Sequence, residues 1–541
     1  MAQNGTAALG LSLSIAASLT NCVPVKTHAP LTQIEGRRSL AGDFSPSPAV
    51  AARSNTSFLN FGELVSLAQN PTPQGALAKK LDRFWTTPII SNEAWEAGDI
   101  PHRAYNQYMG EFIRVGTWNI EKSRHLDDVT AVLKSETAYR QRLKSGGLSK
   151  SQLAEMLRQR ERLASADILV MQETDIGVDR SQYIHGPEQL SRALGMNYAY
   201  APSQLELSPV LQAMATGNPE TLLDPARYRG AFGLTVLSKY PVKSAECFQL
   251  DHQPYDWYHG ERIDYDAVEH ARRIGSEVIF DTSIEREVKV GGRVFFRVDL
   301  EVPGLPRDTL SVIPIHLEIR AKPEDRKRQL EEILSYIEDI PHPVILAGDF
   351  NSARYDLSPT SLERVIERGS RNPRFWMFAL SNLLVPAEAI YNTLRGVANE
   401  MKNLYNPLAF HDGIFFPNET SAKFDVLETY RFEDGGKFDF RGDAARSINA
   451  RNATLANSNE KMRKGYRTTF QVKRPIWPYG RHRLDWIFVK SSFYKDESES
   501  FRLAPHFGET LIAFDHCLAT PLSDHRPCVV DLPIGEVTPN W

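Results

Sequence analysis

Val344 to Ser352 read Val-Ile-Leu-Ala-Gly-Asp-Phe-Asn-Ser, and the rest of the chain becomes legible from this stretch. Its first four residues form a short apolar run with branched side chains, bounded by Pro343 and Gly348. That is the pattern of a buried strand. A glycine lets the backbone turn at the strand mouth, and an acid and an amide then stand on a rigid edge. Side chains alternate along an extended chain, so Phe350 points away while Asp349 and Asn351 share a side, about 7 Å apart. A carboxylate and a carboxamide held together suit proton abstraction from a water and hydrogen bonding to a phosphate oxygen. Taken alone, Gly-Asp-x-Asn is equally a strand end followed by an Asx turn.

The other polar residues of interest share this placement. Asn119 and Glu121 follow the run Val115-Gly116-Thr117-Trp118. Glu173 follows Ile168 to Gln172, and His316 follows Val312 to Ile315. Asp485 opens Trp486 to Val489, and Asp524 and His525 precede Val529 and Val530. Each has a plain structural explanation when read singly. Glu173 suits a helix N-terminus, His316 a satisfied core histidine, Asp485 an ion pair with its basic neighbours, and Ser523-Asp524-His525 a capping turn. Polar ends on so many buried strands point instead to one edge of a sheet, where α/β folds place their sites.

At 541 residues the chain has room for two or three domains, or for one large α/β domain with insertions. Residues 1–22 form a candidate signal segment and 23–55 a Pro-, Ser- and Ala-rich linker. An N-terminal helical extension is expected over 56–110. The main domain is expected over 111–535, with insertions at about 251–273 and 354–467. Strands are predicted at Phe112–Trp118, Asp167–Met171, Tyr198–Pro202, Ala231–Ser238, Glu287–Val290, Val294–Val302, Leu310–Ile315, Leu484–Val489 and Cys528–Leu532, with a hairpin at Gly291-Gly292. Helical stretches over 126–162, 181–194 and 323–339 alternate with them, a layered α/β pattern.

The net charge of −4 argues against a strongly basic nucleic-acid-binding surface, although it leaves room for a local basic groove. The four cysteines have no metal-site spacing, and Cys517 and Cys528 could pair only if their strand ends meet. Ala7 to Thr20 are apolar, small or hydroxyl-bearing, and Leu19 to Cys22 read Leu-Thr-Asn-Cys. This resembles a bacterial lipoprotein signal with Cys22 as the lipidated residue. It departs from the pattern in lacking Lys or Arg ahead of the apolar run and in placing Asn before the cysteine. An exported or membrane-anchored envelope lipoprotein is the expectation, a cytoplasmic protein the alternative.

The ordered set Thr-Trp-Asn-Ile-Glu, Gln-Glu, His-Leu-Glu, Gly-Asp-Phe-Asn, Leu-Asp-Trp-Ile and Ser-Asp-His-Arg-Pro, at residues 117–121, 172–173, 316–318, 348–351, 484–487 and 523–527, resembles the endonuclease/exonuclease/phosphatase superfamily. The resemblance runs from about Phe112 to Pro533. It implies an α/β fold: a four-layer sandwich of two packed mixed β-sheets flanked by helices, carrying here a long insertion and an N-terminal extension. It also implies a hydrolase, a divalent-metal phosphodiesterase or phosphatase using Mg²⁺, with Mn²⁺ as an alternative. On that basis Glu173 binds the metal, with Asn119, Glu121 and Asp524 on the metal side. Asp349 positions or deprotonates the attacking water, and Asn351 holds the phosphate. His525, oriented by Asp485, contacts the phosphate, and His316 matches the histidine that nuclease-like and sphingomyelinase-like branches place near it.

The substrate expected is a phosphoester: nucleic acid, a phospholipid headgroup or a small phosphate. A phosphomonoesterase on a small or inositol-type phosphate is the alternative, and a catalytically silent binding module of the same fold is a third reading. Basic candidates for a nucleic-acid groove are Arg320 to Arg328 and Lys461 to Arg483. Membrane-surface contact is expected through a lipidated Cys22 or the apolar insertion around Phe375 to Phe378. No protein partner is predicted.

Overall fold

The computed structural model describes residues 57–534 except 100, 102, 107–109, 146–147, 218–222, 262–286, 353–421 (apart from 391 and 394), 439–467, 472–480, 491–502, 504–505 and 516. The signal and linker segments, Cys22, nearly all of the long insertion and most of the shorter one therefore lie outside the described residues.

In chain order the strands are β1 (Ile89–Ser91), β2 (Ala104–Asn106), β3 (Gly110–Asn119), β4 (Ile168–Ile176), β5 (Asn197–Glu206), β6 (Ala231–Ser238), β7 (Val242–Gln249), β8 (Lys289–Gly291), β9 (Val294–Glu301), β10 (Thr309–His316), β11 (Val344–Asp349), β12 (Phe470–Gln471), β13 (Arg481–His482), β14 (Asp485–Lys490), β15 (His506–Thr510) and β16 (Cys528–Pro533). A nine-stranded sheet has the order β1-β5-β6-β4-β3-β16-β15, with β2 added to β3 and β8 to β5. A five-stranded sheet has the order β14-β11-β10-β9-β7. Both are mixed: β3 runs parallel to β4 and β10 parallel to β11, while their other neighbours are antiparallel.

Strand alternation builds the four layers. Ile168 and Val170 of β4 pack between the sheets with Ile345 and Ala347 of β11 and Ile487 and Val489 of β14. Leu169 and Met171 face the opposite way, against Val129 and Val132 of the helix Leu126–Lys134 and Leu163 of Lys150–Ala164. Val344, Leu346, Trp486 and Phe488 cover the outer face of the smaller sheet beneath Leu330 and Ile333 of the helix Pro323–Ser335. Each of these strands is apolar on both faces because each is sandwiched.

Two expectations change. The Gly291-Gly292 pair does not close a hairpin: β8 pairs with β5 in the larger sheet and β9 with β10 and β7 in the smaller one. The glycines carry the chain from one sheet to the other, and Gly291 takes φ 95° where an added Cβ would lie 2.5 Å from the Ser203 carbonyl oxygen. The N-terminal extension is helical at Phe61–Gln69 and Gly75–Thr86, but it also supplies β1 and β2 to the larger sheet. No helix among the described residues is long and apolar enough to cross a membrane.

Candidate active site

Strand register brings the polar ends together. Parallel pairing sets His316 beside Asp349, and antiparallel pairing sets Asp485 beside Asp349. In the larger sheet Asn119 stands beside Gln172. Alternation carries Asp349 onto the inter-sheet face with Ile345 and Ala347, and Asn119 onto it with Val115.

Glu173 reaches the same point by breaking that alternation. Leu169 and Met171 face the helices, and an unbroken strand would send Glu173 there as well. The register against β6 instead shifts between Gln172 and Thr174, and Glu173 takes φ 61°. A bulge re-aims a side chain in this way. Glu173 Oε1 accepts from Asn119 Nδ2 at 3.1 Å, and the same amide donates to Asp349 Oδ2 at 3.3 Å. His316 Nε2 lies 3.7 Å from Glu173 Oε1 and 3.7 Å from Asp349 Oδ2. Groups from both sheets thus converge on one locus.

His525 is fixed from three directions. Its Nδ1 is 2.8 Å from Asp485 Oδ2, and its Nε2 is 4.0 Å from Asp349 Oδ2. Its carbonyl accepts from Trp118 Nε1 at 3.0 Å. Its backbone N–H donates to Ser523 Oγ at 3.0 Å, and that hydroxyl donates to the Asn119 carbonyl at 2.7 Å. The capping turn is therefore real, and it ties the histidine to β3. Glu121 Oε2 accepts from Asp524 N at 3.1 Å, with Asp524 exposed on the rim.

Asn351 departs from the expected extended geometry. It takes φ 44°, its N–H donates to Asp349 Oδ1 at 2.8 Å, and its Nδ2 donates to the Leu317 carbonyl at 2.8 Å. The Asx turn and the site are one structure here. An amide has two N–H donors, so one is left to reach a phosphate oxygen.

The electrostatics follow from crowding. Burial and the neighbouring Asp485 carboxylate push Asp349 up to about 7, against the pull of His525. Confinement in the cleft and Asp524 push Glu121 up to about 7. Burial would raise Glu173 too, but Lys122 and the Asn119 hydrogen bond hold it below the usual carboxylate range. Burial disfavours the His525 imidazolium, yet Asp485 and Asp349 hold it well above the usual histidine value. Burial and Arg293 hold His316 well below that value, which favours the neutral ring.

Five carboxylates gathered at one cleft favour a cation, and hard oxygen donors suit a hard divalent one. Asp349, Asp485 and His525 offer ligand atoms within 4.8 Å of one another. Asp485 and His525 already hold each other, which fits an orienting pair better than two ligands. The Glu173 side, with Asn119, Glu121 and Asp524, gathers a second group of oxygen donors beside them.

Sequence reasoning missed three lysines. Lys122 and Lys289 line the Glu173 side of the cleft, where burial pushes them down to about 7 and about 8. Buried Lys423 donates to the Phe350 and Asn351 carbonyls at 3.1 and 3.5 Å, tying the helix Ala422–Thr429 to the Asp349–Asn351 turn. Lys122 stands next to Glu121 in the motif and was findable; nothing in the sequence marks the other two. Of the Arg320 to Arg328 stretch, buried Arg320 pairs with Glu261 and fully buried Arg326 donates to the Ala321 carbonyl, whereas Lys322 and Arg328 are exposed. Buried Arg483 stacks on Trp486. Most of 461–480, and the apolar stretch from Phe375 to Phe378, lie outside the described residues. Cys517 and Cys528 are both free thiols.

The model of the endonuclease/exonuclease/phosphatase family matches residues 116–525. Similar solved structures include an endonuclease/exonuclease/phosphatase from Beutenbergia cavernae, at 16% identity and TM-score 0.33, with 80% of this chain and 73% of that one covered. The human Nocturnin catalytic domain is 15% identical with TM-score 0.31, covering 78% and 94%. An AP endonuclease from Archaeoglobus fulgidus is 14% identical with TM-score 0.34, covering 77% and 98%. A comparison with curated proteins found no match.

Proposed function

The chain belongs to the endonuclease/exonuclease/phosphatase family, and from that premise we propose that it is a metal-dependent phosphoester hydrolase, a phosphodiesterase in the first instance. The observation that carries this reading is the Asp349–His525–Asp485 arrangement. One group is a carboxylate poised near 7 and the next is an imidazolium held well above its usual value. Groups with such separated tendencies divide acid and base work between them.

In this reading ionised Asp349 orients a water and accepts its proton. His525, held by Asp485, donates from Nε2 to a phosphate oxygen. Neutral His316 and the Asn351 amide contribute further hydrogen bonds at the phosphate. A divalent cation held by Glu173, with Asn119, Glu121 and Asp524 around it, supplies charge neutralisation and Lewis-acid polarisation when bound. An exported start anchored at Cys22 stays part of the proposal; its support is the composition of residues 7–22.

The test is Mg²⁺-dependent hydrolysis of bis-p-nitrophenyl phosphate against p-nitrophenyl phosphate, with Asp349→Asn as control. Diester cleavage that the variant loses is the expected result. Cleavage of the monoester alone would replace the diesterase reading with a phosphatase. Activity on neither, with no Mg²⁺ binding, would remove the metal-site assignment.

A further inference from the structure

Outside the catalytic groups, the cleft has a second charged feature. Lys122 and Lys289 both donate to Glu287: Lys122 Nζ to Oε1, and Lys289 Nζ to Oε2 at 2.8 Å. They lie far apart in the sequence, one just after β3 and the other in β8. Lys122 sits in a left-handed turn, at φ 56° between Glu121 and Ser123, which also have positive φ. Lys289 lies in β8 with its ammonium 5.0 Å from the Phe232 ring centroid and 4.5 Å from that of Trp257. The same Phe232 ring faces His316 at 6.4 Å. This cationic wall therefore adjoins the locus where Glu173, Asp349 and His316 meet.

Two of the other cations nearby are committed elsewhere. Arg180 is held by both oxygens of Asp175 and reaches Glu206 at 3.4 Å. Arg293 is held by Glu318 at 3.0 Å. Among the described residues, Glu287 is the one side-chain acceptor for the Lys122 and Lys289 ammoniums. Each ammonium carries three N–H donors, and Glu287 takes one from each. Its carboxylate bridges two ammoniums as an oxyanion does. The Glu287 side chain is 21% exposed, so a rotamer change can move it into solvent.

We propose that Lys122 and Lys289 form a second anion subsite beside the catalytic cleft, held by the chain's own Glu287 and taken over by a second phosphate group of the substrate. The inference rests on the hydrolase reading, because a cation at Glu173 leaves the two lysines as excess positive charge on this wall. A phosphate offers more oxygens than a carboxylate to the same donors, and charge-assisted bonds of this kind are strong. The substrate class that follows is a phosphoester carrying a further phosphate close to the scissile one.

Two measurements test this. Calorimetric titration of the full chain with inorganic phosphate in Mg²⁺ buffer, compared between the parent and subsite variants, separates the subsite from phosphate held at the catalytic cleft. Glu287→Gln should bind about tenfold more tightly than the parent, and Lys289→Met should lose about tenfold. Equal affinity in all three proteins would make the trio a structural ion pair and overturn the proposal, whatever the activity. Glu287→Gln alters a partly exposed residue, so it decides the matter even if Lys289→Met does not fold.

The second measurement compares KM for thymidine 3′-(p-nitrophenyl phosphate) with KM for its 5′-phosphorylated form. The parent should favour the phosphorylated form by about tenfold, and Lys289→Met should lose that preference. Cleavage of both forms with equal KM would reject the subsite while leaving the hydrolase reading intact. Cleavage of neither would reject the phosphodiesterase reading and, with it, the role of the subsite in substrate choice.

Discussion

Asp485 Oδ2 lies 2.8 Å from His525 Nδ1, although the two residues are 40 positions apart, one opening a strand of the smaller sheet and the other in the loop that leads into the larger. Asp485 is the first residue of β14, paired with Asp349 at the site edge. His525 stands three residues before β16, locked to β3 through Ser523 and Trp118. The contact fixes which imidazole nitrogen faces the cleft and favours the charged ring.

Asp485→Asn keeps the shape and removes the charge. The expected result is a fall in kcat of about 10²–10⁴-fold with a smaller change in KM. Asp485 raises the His525 value, so the alkaline limb of the kcat profile should move to lower pH in the variant. A pH–rate profile of both proteins checks this, and an unmoved alkaline limb would separate His525 from the reaction.

Asp349 gives the acid limb. Its carboxyl is pushed up to about 7, and only the ionised form accepts a proton, so activity should rise through pH 7. Asp349→Asn should abolish diester cleavage and yet stabilise the metal-free protein at pH 8. The sign follows from linkage. The folded value is raised above the unfolded one near 3.9, so the stability it contributes is present below that value and is lost as pH rises through about 7. The variant has no proton to lose. Thermal melts at pH 5 and pH 8 measure the difference.

Adding Mg²⁺ should raise the melting temperature, and by more at pH 8 than at pH 5.5. Asp349 and Glu121 both sit near 7, so protons compete with a cation below that pH. A shift that is independent of pH would place the cation away from these carboxylates.

Gly348→Ala should destabilise the fold by roughly 2–4 kcal/mol. Gly348 takes φ 143°, and an added Cβ would stand 2.0 Å from the Ile315 carbonyl oxygen, inside the β10–β11 pairing that aligns His316 with Asp349. Chemical denaturation gives the loss.

The site was largely readable because its residues sit at strand ends, and strand ends are marked locally. Apolar runs of period two or buried on both faces located β3, β4, β6, β10, β11, β14 and β16 within a few residues. The missed strands lack that mark. β7, Val242–Gln249, mixes Lys243, Ser244 and Glu246 into its run, and β1 and β2 are three residues each. The Gly291-Gly292 turn signal says that the chain changes direction, not which sheet receives it, so it resembles a hairpin where the chain in fact changes sheets.

Order and type of side chain along the chain were enough to identify the fold family, the sheet edge and the acids, amide and histidines gathered there. Side-chain direction at left-handed backbone positions was not. Glu173 enters the cleft only through a bulge, and Asn351 turns to the Leu317 carbonyl only through its positive φ. Nor could the chain alone reveal that Lys122, Lys289 and Glu287 meet, or that Arg320 and Arg326 are buried rather than lining a groove. Those facts depend on contacts between segments more than a hundred residues apart or on burial, and packing of the two sheets decides both.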